Sequence, residues 1–184
     1  MKKYWIQYKP FLLFFLKFIF TYLFLTSIYH YYLSQFELKN NEVDGFTKLV
    51  STQVEQLLLF INNDARIELH STQPCYKVFY NGKFVSRIIE GCNALSVIIL
   101  FIAFVIAFSG KIINTIYFII AGSLIIHLLN ITRIALLMVA FYHFPKANFI
   151  LHDILFPLVI YGTVFILWII WVNKFSYYAK NPTK

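Results

Sequence analysis

The sequence predicts an all-α polytopic membrane protein: about four transmembrane helices, a short interfacial or re-entrant helix, and a small α+β outer cap. Three observations predict it. First, the composition is 60% hydrophobic and 20% aromatic, with 13% charged residues, about half the charge of an ordinary soluble domain. Second, four apolar stretches reach or approach the roughly 20 residues needed to cross a hydrocarbon core. Third, the short segments on one side, 1–10, 110–111 and 173–184, are basic and free of acid.

The first stretch, 11–32, is interrupted only by Lys17, whose long stem can carry its ammonium to the near interface. It reads as a retained anchor, because Tyr29, His30, Tyr31 and Tyr32 stand where a small-residue cleavage site would be. The second stretch is 94–108, ending at a compact Gly110-Lys111 turn. The third runs from 112 to about 129 and the last from 154 to 172. Between these two lies a shorter apolar piece, 134–144, stopped by Pro145. It reads equally as a re-entrant helix, an interfacial helix, or a protruding end of the third span.

The cations set the orientation. With the N-terminus inside, Lys2, Lys3, Lys9, Lys111, Lys174, Lys180 and Lys184 are cytoplasmic, and all eight acids lie outside. The expected organisation is a cytoplasmic N-terminus over 1–10, a first span over 11–32, an extracytoplasmic cap over 33–91, a helical core over 92–173 and a basic cytoplasmic tail over 174–184. In the cap, Phe46, Leu49, Val50, Leu57, Leu58 and Ile61 recur at helical spacing after Asp44, a capping residue. Farther on, 76–80 and 84–88 flank Asn81-Gly82, the signature of a two-residue hairpin turn.

The net charge of +8 is explained by anchoring to a membrane surface, so lipid and not nucleic acid is the expected basic-face partner. No Asp or Glu lies within any span, which argues against a proton-coupled transporter. The two cysteines, Cys75 and Cys92, are too few for a disulfide framework and lack zinc-ligand spacing; one disulfide between them is an alternative to two thiols. No metal or organic cofactor is expected.

Helical rise places three polar residues at one level. Cys92 lies 19 residues before Lys111, roughly 28 Å at 1.5 Å per residue. Arg133 lies 22 residues beyond Lys111 on the following helix, roughly 33 Å. His152 immediately precedes the descending last span. A thiol, a guanidinium and an imidazole thus reach the outer interface on separate segments. Those groups suit acyl transfer as nucleophile, oxyanion stabiliser and acid/base. Asn130, one turn before Arg133, could orient it or bind a peptide carbonyl. The plain alternatives are a packing cysteine, a headgroup-anchoring arginine and an ordinary interfacial histidine. His30, His70, His127 and His143 show how readily the last arises.

The segment from Glu90 to Ser96 (Glu-Gly-Cys-Asn-Ala-Leu-Ser), opening a hydrophobic helix, resembles the cysteine motif of the exosortase/archaeosortase family. Asn130-Ile131-Thr132-Arg133-Ile134 resembles its Asn-x-x-Arg-Ile motif, and Leu151-His152-Asp153 is similar to its histidine motif. The chain's shortness suggests a compact F-like subtype. The resemblance covers about 90–161 and leaves the first span and the cap without a family motif. It implies a membrane-embedded thiol protease and transpeptidase for protein sorting, of the bacterial plasma membrane, with its site on the extracytoplasmic side. Cys92, Arg133 and His152 would be catalytic, and Asn130, Asn93 and Ser96 would meet substrate. The implied partners are exported proteins with a C-terminal sorting helix and, in addition, an adjacent accessory membrane protein. Two positions depart from the family pattern. Ala94 stands where glycine is frequent, and Phe156-Pro157 where a glycine follows the histidine by one turn; His127 and His143 are the alternative acid/base candidates. The competing function is a non-enzymatic membrane scaffold whose cap binds another secretion component.

Overall fold

The structure, a computed structural model, describes residues 2–37, 42–61, 64–145 and 150–176. The tail residues Lys180 and Lys184 lie outside them. Among the described residues five α-helices and three strands follow in the order α1 (Lys2–Glu37), α2 (Gly45–Ile61), β1 (Ala65–Leu69), β2 (Tyr76–Tyr80), β3 (Lys83–Ile88), α3 (Leu95–Ala107), α4 (Ile112–His143) and α5 (Phe156–Ile170). A 3-10 turn, Glu90–Cys92, leads into α3; wide π turns, Ile150–Leu155 and Trp171–Phe175, bracket α5. Among the described residues the chain is mostly helical, and three helical segments are long and apolar enough to cross a membrane: Phe11–Phe36, Ile112–His143 and Ile150–Phe175.

Three of the four expected spans have full-length helices, and the reading of 134–144 changes. The stretch expected to form the second span is α3, with 13 residues. At about 20 Å it falls short of a hydrocarbon core of about 30 Å, so it does not rank with the other three. The apolar piece 134–144 is not a separate interfacial or re-entrant helix. It is the last three turns of α4, which runs unbroken for 32 residues. No glycine or proline interrupts 124–144, and Pro145 stops the helix where expected.

Contacts divide the chain into two compact units: Met1–His30, Leu95–Leu124 and Thr163–Lys184 form one, and Tyr31–Ala94 with Ile125–Gly162 the other. The first unit is held by aromatic packing. Phe14 meets Phe108 at 4.2 Å between ring centroids, and Phe104 stacks on Trp168 at 4.1 Å. Trp171 is fully buried, and its indole N–H donates to the carbonyl of Phe108 at 2.9 Å, satisfying the polar edge of a buried ring. Lys17 donates to Ser109 Oγ at 3.0 Å, a partner for the charge within the first stretch. Gly122 lets α4 pass close to α3: a Cβ there would lie 2.6 Å from Phe101 Cε1, and Phe101 is itself fully buried. Small residues at such crossings are the usual means of close helix approach in membranes.

The second unit joins the cap to the end of α4. Asp44 accepts hydrogen bonds from the N–H groups of Phe46 and Thr47 at 3.0 Å each, capping α2. The Asn81-Gly82 turn has positive φ at both residues, 50° and 68°, as a type I′ turn requires. β2 and β3 pair antiparallel across it, with a bulge between Val78 and Phe79. Strand β1, which the sequence reading did not anticipate, adds antiparallel to β2 in the order β1-β2-β3. One core fuses these parts: Val50, Val54 and Leu58 of α2, Val78, Tyr80 and Ile88 of the sheet, and Ile131, Ile134, Ala135 and Met138 of α4. The apolar half-span is therefore buried under the cap, which accounts for its hydrophobicity without a separate membrane segment.

Candidate functional site

Cys92, Asn130, Arg133 and His152 all belong to the second unit. Cys92 ends the 3-10 turn that follows β3, is half-buried, and is a free thiol, as is the buried Cys75. The alternative of a disulfide between them does not occur. The turn is closed by the N–H of Cys92 donating to Ile89 O at 2.9 Å. Two side chains then pin the segment. Asn93, expected among the substrate-binding residues, is instead buried, and its Nδ2 donates to Thr47 Oγ1 of α2 at 3.1 Å. Asn130, fully buried on α4, donates through Nδ2 to the Cys92 carbonyl at 2.7 Å. A buried amide that donates at this distance holds the peptide plane beside the thiol in one orientation.

Arg133 is one turn farther along α4. Its Nη1 donates to Asn130 Oδ1 at 3.5 Å, a long bond that steers more than it binds. Its Nε is buried with no hydrogen-bond partner, and no carboxylate among the described residues pairs with it. Arg133 lies within Coulombic reach of Cys92 and of Tyr161 on α5. A half-buried guanidinium with an unused N–H is costly to keep unless something else accepts from it. The asparagine thus links the thiol segment to the cation: one end of its amide takes the Cys92 carbonyl, the other receives the guanidinium.

His152 lies in the Ile150–Leu155 π turn. Pro157 explains that turn, because it has no N–H to offer the carbonyl of Asp153 and its ring crowds that position. His152 Nδ1 is 2.7 Å from Asp153 Oδ1, with both side chains about half exposed. That pairing occupies Nδ1 and fixes the ring against Asp153. Among the described residues His152 makes no hydrogen bond to Cys92 or Arg133; its other neighbour is the Phe141 ring at 6.5 Å. Ser96, expected near substrate, is exposed on the first turn of α3. Of the other histidines, His127 bonds Gln53 at 2.9 Å and packs on Phe46, while His143 is exposed beside Tyr142.

Two features of the site were not singled out by sequence reasoning: Thr47 holds Asn93, and Tyr161 acts electrostatically on Arg133. Ala94, where the resembled motif has glycine, carries a left-handed backbone, φ 61°. Ala94 lies between the 3-10 turn that ends at Cys92 and the start of α3 at Leu95, in a conformation glycine adopts without cost. Among the described residues no group of three or more metal-ligating side chains converges. Comparison with family models, with curated proteins and with solved structures gives no match to this chain.

Proposed function

We propose that this chain is an exosortase-like cysteine peptidase and transpeptidase that cleaves C-terminal sorting signals of exported proteins at the outer face of a bacterial plasma membrane. The observation that carries the reading is the Cys92–Asn130–Arg133 linkage: a free thiol on a segment pinned by Asn130, which also receives a guanidinium with an unused buried N–H. The reading takes α1, α3 with its flanking turns, α4 and α5 as four crossings, with the N-terminus inside. The 21 residues from Glu90 to Gly110 supply the length that α3 lacks alone.

In this scheme Cys92, as the thiolate, attacks the scissile carbonyl and forms a tetrahedral oxyanion that the Arg133 guanidinium stabilises. Collapse breaks the C–N bond. His152, carrying the proton taken from the thiol, delivers it to the departing amine and leaves a thioester on Cys92. An amine acceptor, or water, attacks the thioester and restores the thiol. Shielding from bulk water favours the amine. His152 reaches the reacting atoms only when substrate or a closing motion bridges it to Cys92, and catalytic hydrogen bonds often tighten only in the complex. That no hydrogen bond joins His152 to Cys92 among the described residues is also the observation that favours the second reading, a membrane scaffold that needs neither residue.

The test is thiol labelling of the membrane-inserted chain with an impermeant alkylating reagent, comparing wild type, Cys75→Ala and Cys92→Ala, followed by mass spectrometry for a hydroxylamine-sensitive adduct on Cys92. Labelling of Cys92 without reductant, and an acyl adduct that disappears in Cys92→Ser, are expected. A chain that sorts normally with Cys92→Ser and Arg133→Ala would refute the enzyme and leave the scaffold.

A further inference from the structure

We propose that the outer edge of β3 is a docking site for an extended peptide, taken up as a fourth strand with a carboxylate side chain beside Arg87. The inference rests on the peptidase reading, for which it supplies the mode of substrate binding.

The sheet order β1-β2-β3 leaves β3 at an edge, and an edge strand presents unpaired N–H and C=O groups to any extended chain. A cleft of about 800 Å³ runs beside it, lined by Phe84, Val85, Ser86 and Arg87 of the strand and by Glu90 and Gly91 beyond it. The register sets Phe84 and Arg87 on the face of their partners Phe79 and Lys77, with the bulge between them, and Gln73, Pro74 and Cys75 of the β1–β2 connection complete the cleft's lining. Its far end is Gly91, where an added Cβ would meet no atom within 4 Å, and the next residue is Cys92. A strand laid in this cleft would end beside Gly91, the residue before Cys92 in the chain.

Charge selects the occupant. On one face of the sheet Glu68, Lys77 and Arg87 form a cross-strand row. Glu68 is taken by Arg66 at 3.0 Å, so Lys77 and Arg87 stand side by side with no carboxylate partner among the described residues. Like charges directly opposite are unfavourable. Arg87 is exposed and held over the cleft by one bond, Nη1 donating to Gln73 Oε1 at 2.7 Å. A fourth strand would set one side chain next to Arg87 in the same row, and an acid there relieves the repulsion. Main-chain pairing supplies affinity and this pocket supplies selection, the usual division in strand addition.

The experiment uses the full chain in detergent with three labelled probes: an alternating Thr-Val peptide with one central Glu, its Lys counterpart, and the Glu peptide N-methylated on alternate amides. Anisotropy measures binding, and the rate of Cys92 alkylation measures access to the thiol. The Glu peptide is expected to bind, with the Lys and N-methylated probes weaker by about tenfold or more, the cost of lost charge-assisted or main-chain hydrogen bonds. Arg87→Glu should reverse the Glu-over-Lys preference, and Arg87→Gln should abolish it. Bound Glu peptide should slow Cys92 alkylation. Indifference to N-methylation, indifference to Arg87→Glu, or no binding up to about 1 mM overturns the proposal. So does a dimer that Arg87→Glu dissociates, which would assign the edge to a second copy of the chain. Binding is measured in Cys92→Ser as well. Binding with the expected pattern in a chain that forms no acyl adduct would refute the peptidase reading and leave the strand site; adduct formation without such binding would do the reverse.

Discussion

Ala94 provides a sharp test of how the segment beside Cys92 is built. Its φ of 61° is a conformation that costs an L-residue roughly 1–2 kcal/mol, and its side chain is 7% exposed. Ala94→Gly removes that strain. It also loses a buried methyl, about 0.8 kcal/mol, and gains unfolded-state freedom, about 0.4–1 kcal/mol. The contributions cancel, and the net change is close to zero. Ala135→Gly, on α4 in the same unit and fully buried, has no strain to relieve. It loses about 0.8 kcal/mol of burial and about 1 kcal/mol of helix propensity, so about 2 kcal/mol in all. At roughly 2–4 °C per kcal/mol for a chain of this size, Ala135→Gly should melt about 4–8 °C below Ala94→Gly. Ala94→Val, branched at Cβ in the left-handed region, should fall below wild type. Thermal unfolding in detergent, followed by intrinsic tryptophan fluorescence, measures all three. Equal losses for the two glycine variants would refute the account of this turn.

Other outcomes follow from the same contacts. Asn130→Ala strands the Cys92 carbonyl and should cost about 1–3 kcal/mol with altered Cys92 alkylation, both read on the purified chain. Gly122→Ala drives a methyl into the Phe101 ring and should cost about 1–3 kcal/mol; Phe101→Leu in the same chain should recover part of it, as a double-mutant cycle would show. Asp44→Ala removes both α2 capping bonds and should cost about 1 kcal/mol, whereas Asp44→Asn retains most of the stability. If Arg133 stabilises an oxyanion, Arg133→Ala should lower acyl-adduct formation by roughly 10²–10³. Arg133→Lys should restore little, because an ammonium does not reproduce the planar fork.

Part of this protein was legible in the sequence, where physics is local. Helix and strand periodicity gave α2 and the β2–β3 hairpin, Asp44 gave the cap, Asn81-Gly82 gave the turn, and Pro145 gave the end of α4. Each depends on residues a few positions apart. Apolar length likewise gave the three long helices. Other features depended on partners distant in the chain. Hydrophobicity alone does not distinguish burial under a cap from burial in lipid, so 134–144 read equally as a re-entrant helix, an interfacial helix or a protruding helix end, and the packing of β2, β3 and α2 on it decides. β1 was hidden because its alternation is short and charged, and its identity comes from pairing with β2. At the site, spacing could bring Cys92 and Arg133 to a common level, but the amide that joins them is a contact across 38 residues. For the same reason the motif fixes the place of Asn93 in the chain, while Thr47, 46 residues away, decides which way its side chain turns.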